Sequence, residues 1–160
     1  MTQPPSLASV RYREASASDV PAIAESRLDD PVSGSADPRM AAYLEGRHHP
    51  QHALLPRVAY IATAEALVVG YIAGHLTRRY ACDGELQYLY VRPDYRRGGV
   101  ASELVRLLGR WFSGQSARRI CVNVEPDNAG GRAFYSRHGA VHMHPYWLVW
   151  SDISIVGGAA

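Results

Sequence analysis

Hydrophobic and polar positions divide the first third of the chain into one strand and two helices. Residues 10–14 alternate as a short strand. Ser18 is typical of an N-cap, and Pro21 fits the first turn of the helix that follows. Proline, glycine and serine in residues 29–37 predict a loop, and residues 38–46 predict a second, short helix. The inner face of that second helix is predicted to carry Met40, Ala41 and Leu44.

The middle of the chain is rich in residues that favour strands. Residues 57–63 and 67–76 predict a hairpin, and residues 85–91 predict a third strand after a turn at residues 82–84. Residues 92–98 contain proline and glycine and predict a loop. An amphipathic helix should follow, with Val100, Leu104, Leu107, Leu108 and Trp111 on its apolar face.

The last third of the chain predicts a strand, a helix and two further strands. Residues 120–124 alternate as a strand. Asp127 or Asn128 should cap the helix, and Gly139 should end it. The two final strands are predicted at residues 141–143 and 146–150.

This order of elements predicts a mixed sheet. The strand, helix and strand over residues 85–124 form a parallel crossover, whereas the earlier strands are joined as a hairpin. Helices should therefore cover both faces of the sheet. The fold class is α/β, or α+β under a stricter definition.

Composition indicates a single folded domain and excludes several protein classes. The chain has 160 residues, of which 47% are apolar and 20% charged, as in ordinary folded proteins. A net charge of only +2 argues against a dedicated nucleic-acid binder. All 17 basic residues are arginine. Because Schiff-base enzymes, pyridoxal-phosphate enzymes and P-loop NTPases each need a lysine, those classes are excluded.

Cysteine usage and apolar runs predict a soluble cytoplasmic protein. Cys82 and Cys121 are too few for a disulfide scaffold and are expected to be reduced thiols. Residues 1–10 show no signal-peptide pattern. The longest apolar stretch, residues 67–74, is far shorter than the roughly 20 residues that cross a bilayer. We therefore expect no membrane contact.

Residues 89–101, which read Leu-Tyr-Val-Arg-Pro-Asp-Tyr-Arg-Arg-Gly-Gly-Val-Ala, carry the strongest chemical signal. A strand ends, an arginine- and glycine-rich loop follows, and a helix begins. Glycine allows close approach of a ligand to the backbone, and the free N–H groups of a helix start favour an anion such as a pyrophosphate. Glycines also serve ordinary turns, so the loop alone leaves a purely structural role open.

This loop resembles that of the GNAT acetyltransferase superfamily, whose members bind acetyl-CoA. The family loop reads Arg or Gln, two variable residues, Gly, one residue, then Gly or Ala, which matches residues 96–101. Val91-Arg-Pro93 is similar to the usual lead-in. Asn128 and Tyr135, seven residues apart and followed by Gly139, are similar to the family's N-x-x-A-x-x-F-Y helix.

The resemblance implies a mixed, mostly antiparallel central sheet of six or seven strands flanked by about four helices. One such domain would cover residues 8–156, with residues 1–7 and 157–160 as flexible ends. Two positions depart from the family pattern. Arg97 stands where many members have glycine, and Gly131 stands where alanine is usual.

Direct transfer of an acetyl group from acetyl-CoA to a primary amine is the implied activity. The family stabilises the oxyanion with a backbone N–H at the end of the strand before the loop, which corresponds to Val91. The N–H groups of Arg97, Gly99 and Ala101 are the expected pyrophosphate donors, with Arg96 nearby. The full set of cofactor-binding residues implied by the resemblance is Leu89, Tyr90, Val91, Arg96, Arg97, Gly98, Gly99, Val100, Ala101, Asn128, Arg132 and Tyr135.

Two side chains are candidates for proton transfer. Tyr135 is the candidate general acid, because a phenol can give a proton to a departing thiolate. Its alternative role is packing of the ring. Glu85 is the candidate base, because it lies eleven residues before Arg96, where some members of the similar family place a base-forming glutamate, and because partial burial can raise the pKa of a glutamate. The alternatives are an exposed carboxylate at Glu85 and an ordered water as the base.

The acceptor is expected between residues 27–52 and residues 144–147. Small amines, amino acids, antibiotics, polyamines and protein N-termini or lysines all stay open as acceptors. The seven histidines, among them His48, His49 and His52, lack further ligands at metal spacing, so no metal is predicted.

Two further expectations concern partners and the type of protein. Family members pair through C-terminal strands, and residues 146–150 are apolar, so we expect a homodimer. The alternative to an enzyme is an acyl-CoA-binding regulatory module without turnover. The missing lysine disfavours a P-loop-like nucleotide binder.

Overall fold

A seven-stranded mixed sheet forms the centre of the computed structural model, which describes residues 9–28, 30 and 38–156. The strand order is β1-β2-β3-β4-β5-β7-β6, and every neighbouring pair is antiparallel except β4 and β5. The strands are β1 Arg11–Glu14, β2 Ala53–Ala64, β3 Leu67–Thr77, β4 Gly84–Val91, β5 Ile120–Asn123, β6 Val141–His144 and β7 Trp147–Trp150. The α-helices of the described residues are α1 Val20–Glu25, α2 Pro38–Leu44, α3 Val100–Gly114 and α4 Ala129–Arg137.

The two faces of the sheet carry different helices. Leu104 and Phe112 of α3 and Tyr135 of α4 pack against one face. Ile23 of α1 and Met40 of α2 pack against the other. The predicted element order, the parallel crossover and the placement of helices on both faces are therefore confirmed. The fold is α/β, and the seven strands and four α-helices of the described residues agree with the expected six or seven strands and about four helices.

Several boundaries and buried faces differ from the sequence prediction. β2 begins four residues early, at Ala53. In α2 the buried residues are Met40 and Tyr43, whereas Leu44 is only half-buried. In α3, Val105 and Phe112 are buried, because the helix lies on a twisted sheet and its buried stripe runs obliquely. Leu107 and Trp111 are half-buried on the flank of that stripe. The predicted flexible ends, residues 1–7 and 157–160, and most of the predicted loop 29–37 lie outside the described residues.

The C-terminal strands are packed within the chain itself. Residues 147–150 of β7 are all buried, and Trp150 donates from Nε1 to the carbonyl of His138 at 2.9 Å. Tyr146 is half exposed beside them. Homodimer formation through this segment stays a prediction.

Candidate active site

A cleft opens where the two parallel strands of the sheet diverge. The register of β4 with β5 ends at Leu86 paired with Val122. β4 continues to Val91, while β5 ends at Asn123. Beyond Leu86, the edge of β4 that faces β5 therefore has no strand partner among the described residues. The cleft has a volume of about 1160 Å³.

Most of the predicted cofactor-binding residues line this cleft. It is bounded by the end of β4, the loop after it, the first turn of α3 and the inner side of α4. The predicted residues on its wall are Leu89, Val91, Arg96, Arg97, Gly99, Ala101, Asn128 and Tyr135. The sequence motifs thus come together around one cavity.

The first turn of α3 presents N–H groups at one end of the cleft. Gly99 is the N-cap and has a φ of 88°, a left-handed conformation that glycine adopts without strain. Arg97 is also left-handed, with a φ of 65°. The first bond of the helix runs from the Glu103 N–H to the Gly99 carbonyl at 3.0 Å, so the N–H groups of the preceding turn have no acceptor within the helix. These donors and the helix dipole favour an anion here.

Arg96 ties the loop to the rest of the molecule. Its Nε donates to the carbonyl of Val91 at 2.8 Å, and a terminal nitrogen donates to the Asp30 carboxylate at 3.2 Å. The same Asp30 oxygen accepts the hydroxyl of Tyr90 at 2.5 Å. The side chain of Arg96 is 48% exposed, so it forms a fixed and accessible positive charge beside the α3 start.

Other residues of the predicted cofactor set lie off the cleft wall. The Tyr90 ring belongs to the core on the α1–α2 face, in contact with Tyr71. The Val100 side chain is buried under α3. Gly98 is not on the wall either. Arg132 donates to the carbonyls of Val124 and Pro145, so its guanidinium holds the loops after β5 and β6 together.

The cap of α4 explains why glycine replaces alanine at position 131. The Asn128 side-chain oxygen accepts the Gly131 N–H at 2.9 Å, as the sequence predicted for a cap. A Cβ at Gly131 would lie 2.7 Å from the Asn128 amide nitrogen. A side chain at position 131 would therefore displace the cap. Gly139 has a φ of 99° just after the helix and confirms the predicted helix end.

Removal of this cap should destabilise the protein. Asn128→Ala should lower the free energy of unfolding by about 1 kcal/mol, because the first turn of α4 loses the side-chain acceptor for the Gly131 N–H group. Urea unfolding measures this, and Asn128→Ser, which keeps an acceptor, is the control. Gly131→Ala should be unfavourable in the natural chain and favourable in the Asn128→Ala background. Equal effects of Gly131→Ala in both backgrounds would contradict this account of the cap.

Tyr135 lies on the cleft wall with its ring held by neighbouring aromatics. It is 9% exposed and meets Trp150 edge-on, with ring centroids 5.7 Å apart. Burial raises the pKa of Tyr135 above its ordinary value near 10. The phenol therefore keeps its proton throughout the neutral and mildly alkaline range, and it is available as a proton donor.

Glu85 is buried just outside the cleft. It is 4% exposed and precedes Leu86, the first cleft residue of β4. Its Oε1 lies 3.4 Å from Nε of Arg79 and 3.9 Å from Nε2 of His75. Burial raises the pKa of Glu85 to about 7, and the charge of Arg79 opposes part of that rise. The carboxyl group can therefore exchange a proton near neutral pH.

Sequence reasoning missed the side chains that surround Glu85. His75 is fully buried in β3, and its Nδ1 lies 2.8 Å from the hydroxyl of Tyr43 on α2. Arg79 rests on the Trp147 ring at 4.8 Å and donates to the carbonyl of Gln51 at 2.9 Å. The available signal was a single histidine inside the apolar run of β3.

Two other histidines make contacts away from Glu85. His49 Nδ1 lies 2.5 Å from the Arg57 guanidinium, and the His144 ring stacks on Tyr80 at 4.6 Å. Within residues 9–28, 30 and 38–156, no group of three or more His, Cys, Asp and Glu side chains is placed to hold a metal ion. In the same residues no helix is both long and apolar enough to cross a membrane.

The fold and the cleft agree with one protein family. Residues 20–140 match the family model described as the Acetyltransferase (GNAT) family, and the chain belongs to that family. The acyltransferase class expected from the sequence agrees with this membership.

Among curated proteins, the chain is similar to the aminoglycoside N(6')-acetyltransferase type 1 of Salmonella typhimurium. The two are 26% identical over 76 residues, which cover 44% of this chain and 52% of that protein. The chain thus spans about half the length of the curated relatives it matches.

Solved structures share the fold at lower identity. Ard1 from Thermoplasma volcanium superposes with a TM-score of 0.67 at 18% identity, over 88% of this chain and 95% of that one. The PaiA N-acetyltransferase from Thermoplasma acidophilum, in complex with coenzyme A, superposes with a TM-score of 0.66 at 16% identity, over 90% of this chain and 99% of that one.

Proposed function

We propose that this protein transfers an acetyl group from acetyl-CoA to a primary amine. The observation that carries the proposal is the open edge of β4 beside the free N–H groups of the α3 start, within one cleft. Family membership supports the acetyl donor, and a structural neighbour of the same fold is described as a complex with coenzyme A.

The cleft fits such a donor in charge and in shape. The N–H groups of the α3 start and the accessible charge of Arg96 suit a pyrophosphate. The unpaired edge of β4 suits the amide-bearing pantetheine arm, and the backbone at Val91 suits the carbonyl oxygen of the thioester. Acetyl-CoA supplies an activated acyl group, and the chain positions it.

Two side chains divide the proton transfers in this proposal. Tyr135, which keeps its proton and lies on the cleft wall, donates to the departing thiolate. Glu85, which exchanges a proton near pH 7, takes up the proton of the acceptor ammonium. Because Glu85 lies off the cleft on the α1–α2 face, the acceptor should approach from that side, and an ordered water can carry the proton.

The acceptor is defined here only as a primary amine. The similarity to an aminoglycoside acetyltransferase puts aminoglycosides on the test panel. Amino acids, polyamines and peptides with free N-termini or lysines complete it. Since the chain contains no lysine, it offers no ε-amine of its own as a competing acceptor.

Calorimetry and thiol release test the proposal together. Titration with acetyl-CoA, with ATP as the control ligand, should give micromolar affinity for acetyl-CoA alone. Thiol release should then appear with one class of amine on the panel. Tight binding without release for any amine would favour the acyl-CoA-binding module, which the position of Glu85 outside the cleft also favours. No binding of acetyl-CoA would refute the assignment of the cleft.

A proline at position 101 should weaken coenzyme A binding without disturbing α3. Ala101 is the second residue of α3, and the chain already begins α1 with Val20-Pro21, the pair that Ala101→Pro would create after Val100. The substitution deletes one N–H donor toward the phosphates. Affinity for acetyl-CoA should fall about 10- to 100-fold, as expected for one hydrogen bond to a charged group.

Ala101→Ser is the matched control, because it keeps the N–H group. Acetyl-pantetheine, which lacks the pyrophosphate, should bind both variants equally well. If Ala101→Pro weakened acetyl-pantetheine as much as acetyl-CoA, the α3 start would not be the phosphate site.

A further inference from the structure

Three buried polar atoms from neighbouring elements face one another on the α1–α2 side of the sheet. They are Glu85 Oε1 on β4, His75 Nε2 on β3 and Arg79 Nε in the connection between those strands. None of the three has a hydrogen-bond partner among the described residues. The side chain of Glu85 is 5% exposed and that of His75 is fully buried. Buried polar atoms without partners are unfavourable, so their assembly calls for a reason beyond packing.

The groups that face Nδ1 and Nε2 together favour one tautomer of the His75 ring. Burial, together with the charges of Arg57 and Arg79, lowers the pKa of His75 to about 4, so the ring is neutral and holds one proton. Burial raises the pKa of Tyr43 well above its usual value, so its hydroxyl stays protonated. When that hydroxyl donates to Nδ1 across 2.8 Å, the ring proton lies on Nε2 and faces Glu85. The other tautomer would turn a lone pair toward the carboxylate.

We propose that Tyr43 and His75 are positioning residues for Glu85, with the His75 Nε2–H as the donor that favours and orients the charged carboxylate. The inference rests on the proposed role of Glu85 as the base. The present 3.9 Å separation exceeds a hydrogen bond by about 1 Å, so the proposed bond requires the Glu85 carboxylate to rotate toward Nε2. Arg79 Nε lies 3.4 Å from the same oxygen, at ion-pair distance, so two cationic or N–H groups approach this carboxylate.

Several other charged or titratable groups pack around His75 and Glu85. Arg57 of β2 lies over the Tyr43 ring at 4.6 Å, and Tyr88 of β4 meets the same ring edge-on at 5.4 Å. Arg57 and Arg79 supply the positive charges beside His75. Cys121 of β5 is paired with Glu85 in the sheet register, and its contact with Cys82 and its burial raise the pKa of its thiol.

Two amide substitutions of His75 separate its two nitrogens. His75→Asn keeps an amide near the Nδ1 position, where Tyr43 is bound, but has no atom at Nε2. His75→Gln places an amide donor near Nε2 and keeps a partner for Glu85. The pKa of Glu85 should rise by about one unit in His75→Asn and stay within a few tenths of a unit in His75→Gln.

Carboxylate carbon NMR measures these pKa values directly, and the resonance that disappears in Glu85→Gln identifies Glu85. Tyr43→Phe is the second variant, since it removes one hydroxyl and leaves the ring against Arg57 and Tyr88. It should raise the pKa of Glu85 by less than His75→Asn, because His75 would then be free to adopt either tautomer. Circular dichroism melting verifies that each variant is folded.

Two readouts separate this inference from the proposed function. An unchanged pKa of Glu85 in His75→Asn, or equal shifts in the Asn and Gln variants, would overturn the positioning role even where Glu85 proves to be the base. A shifted pKa with an unmoved acid limb of kcat would support the hold of His75 on the carboxylate and overturn the role of Glu85 as base. If the pKa of Glu85 and the acid limb of kcat shifted by the same amount, the result would support His75 as a positioning residue and Glu85 as the base.

Discussion

Glu85→Gln should lower kcat by about 10²- to 10⁴-fold at neutral pH, which is the usual contribution of a positioned general base. Burial raises the pKa of this carboxyl to about 7, so the natural protein should gain activity as the pH rises through 7. The variant has no carboxylate to ionise, and its residual activity should lack that step. Steady-state kinetics from pH 5.5 to 9 with a saturating amine measure both effects.

The contribution of Glu85 to the free energy of unfolding should fall as the pH rises, whereas its contribution to activity should grow. The folded protein binds the Glu85 proton more tightly than the unfolded chain, whose ordinary pKa is near 4.5. The contribution of this group to stability is therefore full below pH 4.5 and is lost as the pH rises through 7. Glu85→Gln removes that loss, so the variant should melt at least as high as the natural protein at pH 8. Glu65→Gln, at the exposed β2–β3 turn, is the matched control and should change neither kcat nor stability.

Tyr135→Phe should lower kcat by about 10²-fold or more while leaving the affinity for acetyl-CoA nearly unchanged. The substitution removes the proposed donor to the departing thiolate and keeps the ring against Trp150. Because the pKa of Tyr135 is raised by burial, its deprotonation should not limit kcat below pH 10. Thiol-release kinetics measure kcat, and calorimetry measures the affinity for acetyl-CoA.

Tyr60→Phe, on β2 and two strands away from β4 in the sheet, is the control for loss of a phenol hydroxyl. It should be fully active. An acetyl-CoA-dependent rate that survives Tyr135→Phe would mean that the thiolate leaves without help from this residue, or with solvent as its acid.

A site feature could be predicted from the sequence wherever the residues that form it lie close together in the chain. Gly99 and Ala101 stand at a strand–loop–helix junction, and their position in the cleft followed from that local pattern. Asp127 or Asn128 was predicted as a cap from its place before a helix, and the structure shows that Asn128 makes the bond. Glycine at 131 looked like a departure from the family, but its reason is local too.

The surroundings of Glu85 depend on sheet register, which local patterns do not contain. In β4, Tyr88 pairs with Ala73 but Leu86 pairs with Gly74, so Gln87 is an extra residue in a bulge. The bulge changes the alternation of faces. Strict alternation from Val91 would place Glu85 on the cleft side, whereas it lies on the α1–α2 side with His75 and Tyr43. Those two residues are 32 positions apart, and only tertiary pairing brings them together.

The divergence of β4 from β5 also affects which amino-acid substitutions such proteins tolerate during evolution. A pocket whose donors are main-chain amides asks little of its side chains, because every residue except proline carries the same N–H group. Substitutions can then accumulate around the donor site while the donor is still held. Random libraries that vary the α1–α2 face and spare residues 96–101 should therefore yield new acceptor preferences without loss of donor binding.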